Sequence, residues 1–146
     1  MIDRLAPWRA LVGRLALAGV LLYFGVGELW SPAQWAGYIP QPLHFLPTVP
    51  LLLTHGYVLF AVGGLLLFGA WTKQMTWLSI ALLVSIVIGL MLNGGGTSLY
   101  VRDLGLTGLA ITLAMEPATG FGVDSLFASA KTPRPAAKPA GARAGR

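Results

Sequence analysis

The sequence predicts an all-α integral membrane protein, a four-transmembrane-helix bundle with its N- and C-termini cytoplasmic. Three observations carry that expectation: a scarcity of charge, four apolar stretches of spanning length, and the places where basic residues collect. Of the 146 residues, 55% are hydrophobic and only 10% charged, and the mean hydropathy is +0.72. A soluble domain carries about a quarter charged residues, so this chain has too little polar material to cover a globule in water. A transmembrane helix needs about 20 apolar residues. Four would use about 80 and leave the rest for loops and tails. One membrane domain is therefore expected over residues 8–117, with a cytoplasmic N-terminal segment 1–7 before it.

Lys and Arg are absent between Arg14 and Lys73 and again between Lys73 and Arg102. The first span is placed at 8–30. Its apolar core, 15–29, is long for a signal-peptide core, and no small-x-small cleavage site follows before Trp30, Ser31 and Pro32, so it reads as a retained span. Segment 31–50 holds Pro32, Pro40, Pro42, Pro47 and Pro50 among Trp35, Tyr38, His44 and Phe45. Proline denies it a continuous helix, and its aromatics suit the headgroup layer, so it is expected to lie flat over the outer mouth of the bundle. Two readings stand for it, an ordinary interfacial loop and a functional lid. The remaining spans fall at 51–71, 74–92 and 99–116. Trp8, Trp30, Trp71, Trp77 and Tyr100 sit near their ends, as an interfacial aromatic belt requires. Residues 118–146 read as a disordered basic tail. Within it 130–146 is an Ala/Pro/Lys/Arg tract unable to bury enough apolar surface to fold.

Basic residues on the cytoplasmic side set orientation. Arg4, Arg9 and Arg14 lie at the start, Lys73 in the short turn between the second and third spans, and Lys131, Arg134, Lys138, Arg143 and Arg146 in the tail, with none in 31–50. All agree on one side. The same distribution accounts for the +5 net charge without invoking nucleic acid as a partner. The lipid bilayer is the expected partner, in the inner (plasma) membrane, crossed several times.

Helical spacing sorts the few polar side chains. Arg14, Ala18, Leu21, Gly25 and Glu28 share one face of the first span, and Ser85, Gly89 and Asn93 one face of the third. In the fourth, Asp103, Thr107, Ala110 and Ala114 line one stripe, and Leu106, Leu109 and Leu113 another. Small and polar residues favour helix contacts in membranes, so the mixed stripes are expected to face one another and the Leu stripe to face lipid. Gly56, Gly63 and Gly64 mark a further packing surface on the second span.

The expected topology gathers Glu28, His55, Asn93, Arg102 and Asp103 at the outer leaflet. Ionisable residues at membrane depth are functional candidates by default. Here two readings share the same donors: a clasp of Arg102 with Glu28 or Asp103, and a ligand or proton site. Arg14 lies deeper on the inner side. It either snorkels to the surface or contacts an anionic partner or lipid headgroup. The chain has no cysteine and two histidines, which removes thiol and iron–sulfur chemistry and disfavours a metal site. Haem is disfavoured because His44 lies on the Pro-rich loop, away from a facing helix. The glycine run 94–96 has no strand before it, so it does not read as a nucleotide-binding loop.

Three segments resemble the DoxX family of small four-span membrane proteins. They are Arg14–Leu15 through Leu22–Tyr23–Phe24–Gly25–Val26–Gly27–Glu28–Leu29 with the following Pro32–Ala33–Gln34–Trp35–Ala36–Gly37–Tyr38–Ile39–Pro40; Gly63–Gly64–Leu65–Leu66–Leu67–Phe68–Gly69; and Val101–Arg102–Asp103–Leu104–Gly105–Leu106–Thr107–Gly108–Leu109–Ala110. The resemblance covers about residues 14–115. Relatives often carry a lysine where Glu28 stands and an acidic residue in the second span, so a charge pair between those spans is rearranged here. The resemblance implies the membrane subunit of an oxidoreductase assembly, with quinone as the implied cofactor and a soluble redox or sulfur-transfer subunit as the implied partner. Any enzymatic role is then that of a subunit. A homo-oligomer is compatible with the exposed Leu stripe. The alternatives are a non-catalytic membrane scaffold or assembly partner and a small-solute or lipid transporter, although no inverted repeat supports the last.

Overall fold

Proline and glycine set where the helices begin and end. In the computed structural model, which describes residues 6–94, 97–116 and 121–126, helix α1 runs Ala6–Trp30 and a four-residue helix α2 covers Pro32–Trp35. Helices α3 (Thr48–Phe68), α4 (Thr72–Leu92) and α5 (Thr97–Met115) follow. Helix α3 starts and stops before the expected 51–71. Pro47 caps it, and Pro50 is tolerated because first-turn N–H groups have no intrahelical partner. At its far end Gly69 adopts the left-handed conformation, φ 67°, and closes the helix. No strand occurs among the described residues.

Three helices, Trp8–Trp30, Thr48–Phe68 and Thr72–Leu92, are long and apolar enough to cross a membrane. By length and composition this is a membrane protein. Helix α5 is shorter and packs beside them. Its neighbours are α4 and α1, while α3 packs on α1 and α4, so the four long helices close a ring in the order α1, α3, α4, α5. Contacts fix their directions. Gly25 faces Gly56 and Phe60 while Gly63 faces Ala18 and Leu22, so α1 and α3 are antiparallel. Gly13 faces Leu109 and Leu113 while Phe24 lies under Arg102, so α1 and α5 are antiparallel too.

The core is built from Leu17, Ala18, Leu21, Leu59, Val62, Leu66, Leu83 and Ala110. In lipid such helices are held by close packing rather than by expulsion of water, which explains the bare backbones at the α1–α3 crossing. A Cβ on Gly25 would stand 2.7 Å from the Phe60 nitrogen.

The expected α1 face is buried throughout: Arg14, Ala18, Leu21, Gly25 and Glu28 all point inward. On α5, Asp103, Thr107 and Ala110 are likewise buried. Two expectations need correction. Leu106 and Leu113 pack against the core, with Leu109 and Leu113 filling the hollow over Gly13, so the Leu stripe faces α1. The outward face of α5 is instead Val101, Leu104, Ile111 and Met115. The mistake has a simple cause: two stripes were available on α5, and both are needed to fill a ring with neighbours on two sides. On α4 the buried face carries Thr76, Ser79, Leu83, Gly89 and Leu90, while Ser85 is exposed and returns its hydroxyl to the Leu82 carbonyl.

Segment 31–47 folds as short helical turns, Pro32–Trp35, Ala36–Tyr38 and Gln41–Leu43. They form a strap across one end of the bundle. At the opposite end, the turn from Gly69 to Trp71 joins α3 to α4. Residues 121–126, expected to belong to the disordered tail, dock against that turn: the Asp124 N–H donates to the Gly69 carbonyl at 3.0 Å. Residues 1–5 and 127–146, with the rest of the expected tail, lie outside the described residues.

Candidate functional site

Four of the five residues expected to cluster line one cavity at the strap end. It has a volume of ≈ 400 Å³, and Glu28, His55, Arg102 and Asp103 contribute to its wall. They arrive from three helices: Glu28 from the last turn of α1, His55 from the third turn of α3, and Arg102 and Asp103 from the second turn of α5. Most of the lining is apolar, with Leu21, Leu52, Leu59 and Leu83 at the bundle side and Tyr38, Ile39 and Pro40 from the strap. Ligand cavities of about 300–1,000 Å³ with few polar groups in apolar walls are the usual form of small-molecule sites.

The polar groups pair in two sets. His55 Nδ1 stands 2.8 Å from Glu28 Oε2 and 3.1 Å from Oε1, joining α1 to α3. An ionised carboxylate only accepts, so the Nδ1–H donates, and this fixes the tautomer that leaves Nε2 as the second ring site. Arg102 donates from Nε to Asp103 Oδ1 at 2.8 Å and from Nη2 to Oδ2 at 3.2 Å. That pair lies within one helix. Asp103 is buried at 2% exposure, whereas Arg102 is exposed and lays its guanidinium over Phe24, 4.8 Å from the ring centroid. Such a cation over an aromatic face is attracted by the ring quadrupole. Phe24 in turn meets Trp35 edge-on at 5.5 Å, and Trp35 meets Tyr38 at 5.6 Å, so an aromatic wall runs from α1 into the strap.

Asn93 stands apart from the cavity wall. Its Nδ2 donates to the Ile39 carbonyl at 2.7 Å, and its Oδ1 accepts the Gln41 N–H at 3.0 Å. Hence it holds the strap. His44 also serves the strap: its Nε2 lies 3.1 Å from the same Ile39 carbonyl, which can only accept, so Nε2 carries the proton.

Arg14 lies at the other end and is buried, at 3% exposure, rather than extended to the surface. Its Nη1 donates to the Phe121 carbonyl at 2.6 Å. The docked segment also brings Asp124, whose carboxylate accepts the Trp71 and Thr72 N–H groups at 2.8 Å each. A carboxylate on the first N–H groups of α4 satisfies donors that have no intrahelical partner. It also secures Trp71, which is held at φ 47°, a region costly for a bulky residue. Partial burial on its own would raise the Asp124 carboxyl. Hydrogen bonds from the Thr72 backbone and side chain and the Trp71 backbone, with the nearby Arg14 charge, outweigh that and hold its pKa below the ordinary value.

Several site residues were not singled out from sequence. The sequence assigns Phe24 no role of its own and reads Tyr38 as an interfacial aromatic, and the signal that could have placed Trp35 is Gly27, where a Cβ would lie 2.9 Å from the indole. Asp124 was hidden by its position beyond Pro117. Its signal is the alternation of Phe121, Val123 and Leu126 with Asp124 and Ser125, which differs from the Ala/Pro/Lys/Arg tract after residue 130. Among the described residues, no three His, Asp or Glu side chains gather as metal ligands would. Compared with known proteins, the chain matches no family model, no curated protein and no solved structure.

Proposed function

We propose that this chain is a DoxX-like, four-span protein of the inner (plasma) membrane, with cytoplasmic termini, that serves as the membrane subunit of an oxidoreductase assembly and holds a quinone headgroup at its outer side. The strap-end cavity of ≈ 400 Å³, apolar but carrying the Glu28–His55 pair and Arg102, is the observation that carries the reading. Helix α5 supplies the fourth span: 19 residues at about 1.5 Å each give ~28 Å, close to the ~30 Å hydrocarbon thickness. Its two charges neutralise each other, which lowers the cost of placing them there.

Reducing a quinone to a quinol takes two electrons and two protons. The electrons come from the partner subunit. With a quinone bound, His55, held by Glu28 through Nδ1, would relay the two protons one after the other through Nε2, taking each up from water before passing it on, and Arg102 would polarise a carbonyl oxygen. The aromatic wall of Phe24, Trp35 and Tyr38 receives the ring.

The test is a titration of the purified protein with a short-chain ubiquinone, read by quenching of tryptophan fluorescence with Trp35→Phe as reference. Saturable quenching, weakened more than tenfold in Arg102→Leu and His55→Ala proteins that remain folded, is expected. Equal quenching in parent and variants would overturn the quinone site. The second reading, a non-catalytic scaffold, draws on the fact that Glu28 with His55 and Arg102 with Asp103 are already satisfied within the protein. On that reading the same variants lower thermal stability and leave quinone behaviour unchanged.

A further inference from the structure

The strap is fixed to the bundle along two edges of different character. On α1 the anchor is large and apolar: the Trp35 indole sits against the bare backbone of Gly27 and edge-on to Phe24. On α4 the anchor is small and polar. Pro40 rests on Gly89, where a Cβ would stand 2.8 Å from Pro40 Cγ, and one side chain, Asn93, grips the backbone on both sides of that proline. Among the described residues, Asn93 makes every hydrogen bond between strap and α4. A carboxamide suits this position because it donates to the Ile39 carbonyl and accepts from the Gln41 N–H at once. Ile39, 5% exposed, and Pro40 are also part of the cavity wall. The α4 edge of the strap therefore forms one side of the cavity, and hydrogen bonds from one residue hold that edge down on α4.

We propose that Asn93, seated above Gly89, is the latch of a gate: releasing Ile39 and Gln41 lifts the α4 edge of the strap and admits an apolar, ring-bearing amphiphile to the cavity. The proposal rests on the reading of this cavity as a ligand site. It assigns Asn93 and Gly89 a positioning role that acts through the strap rather than by touching the ligand. Losing the latch lowers the barrier to passage in both directions, so association and dissociation rates rise together while the affinity changes little.

The absence of cysteine makes a direct test available. Leu52, at 5% exposure, lines the cavity, and Leu52→Cys introduces the sole thiol. Its reaction rate with a small methanethiosulfonate reagent, measured on the full chain in detergent, is expected to rise about tenfold or more when Asn93→Asp or Gly89→Ala is added. That is the population shift that losing one or two hydrogen bonds produces. Asn93→Asp is nearly isosteric and sets a carboxylate oxygen against the Ile39 carbonyl, whereas Gly89→Ala pushes Pro40 away without touching Asn93. Leu67→Cys, on an exposed face of α3, should react at one rate in all backgrounds. An unchanged rate at Leu52→Cys in both variants, or an equal acceleration at Leu67→Cys, overturns the gate. Ubiquinone kinetics separate the two claims. Faster labelling without ubiquinone binding keeps the gate and removes the quinone. Ubiquinone binding with unchanged labelling and unchanged association rate keeps the quinone and removes the gate.

Discussion

Glu28 and His55 meet across the crossing of α1 and α3, Nδ1 to Oε2 at 2.8 Å, within one turn of the place where Gly25 and Gly56 bring the two backbones together. A Cβ on Gly56 would stand 3.0 Å from the Glu28 Cβ. The pair and the close crossing are thus one feature: the glycines shorten the gap that the two side chains span. Glu28 is largely withdrawn from solvent, at 8% side-chain exposure against 29% for His55, so the carboxylate depends on its partner.

His55→Ala should accordingly destabilise the protein by about 2 kcal/mol, the cost of leaving a buried carboxylate without its charge-assisted donor. Glu28→Leu combined with His55→Leu should recover most of that loss, because no unpaired charge then remains. Thermal midpoints in one detergent check both, and a double variant as unstable as the single one would contradict the account.

Gly25→Ala should cost about 1–3 kcal/mol by overpacking, since its neighbours at 2.7 and 3.0 Å are backbone atoms of Phe60 and Gly56 that cannot rotate away. Gly64→Ala, where a Cβ meets nothing within 4 Å, should be neutral or stabilise by about 0.5 kcal/mol. The contrast between two glycines on the paired helices is the informative result, read again as thermal midpoints.

Asp124→Ala should lower stability at pH 7 by about 1 kcal/mol, the value of a lost helix cap, and should speed proteolysis beyond residue 121. The pH dependence has a definite sign. The folded-state pKa of Asp124 is depressed, so its contribution is fully present above the unfolded value, near ~3.9, and is lost as pH falls through the folded value. Parent and variant should therefore differ by a constant amount above about pH 5 and converge in stronger acid. A gap that widens on acidification would contradict the clamp.

Much of the frame was legible in the sequence. The spacing of Arg14, Ala18, Leu21, Gly25 and Glu28 marks one inward face, and all of those residues are buried. The same logic failed on α5, where Leu106, Leu109 and Leu113 turn toward α1. An amphipathic pattern shows which residues differ from their neighbours, but lipid and the interior of a membrane bundle are both apolar, so a Leu stripe carries no label for either. The site was half legible. Glu28, His55, Arg102 and Asp103 reach one cavity as their positions near helix ends imply, and Arg102 clasps Asp103, one of the two partners the sequence offered it, but the pairing of Glu28 with His55 was not foreseen.

By itself the sequence determined that this is an all-helical membrane protein, where its long helices run, and which face of α1 is buried. Those are local quantities, set by charge density, proline, glycine and the 3.6-residue period. Only the tertiary structure decided the partners: Glu28 with His55 across 27 residues, Asn93 with Ile39 across 54, Asp124 with Thr72 across 52, and Arg14 with Phe121 across 107. Hydrogen bonds reach about 3 Å. Which donor lies that close to which acceptor depends on how four helices and a strap pack, and no spacing along the chain encodes it.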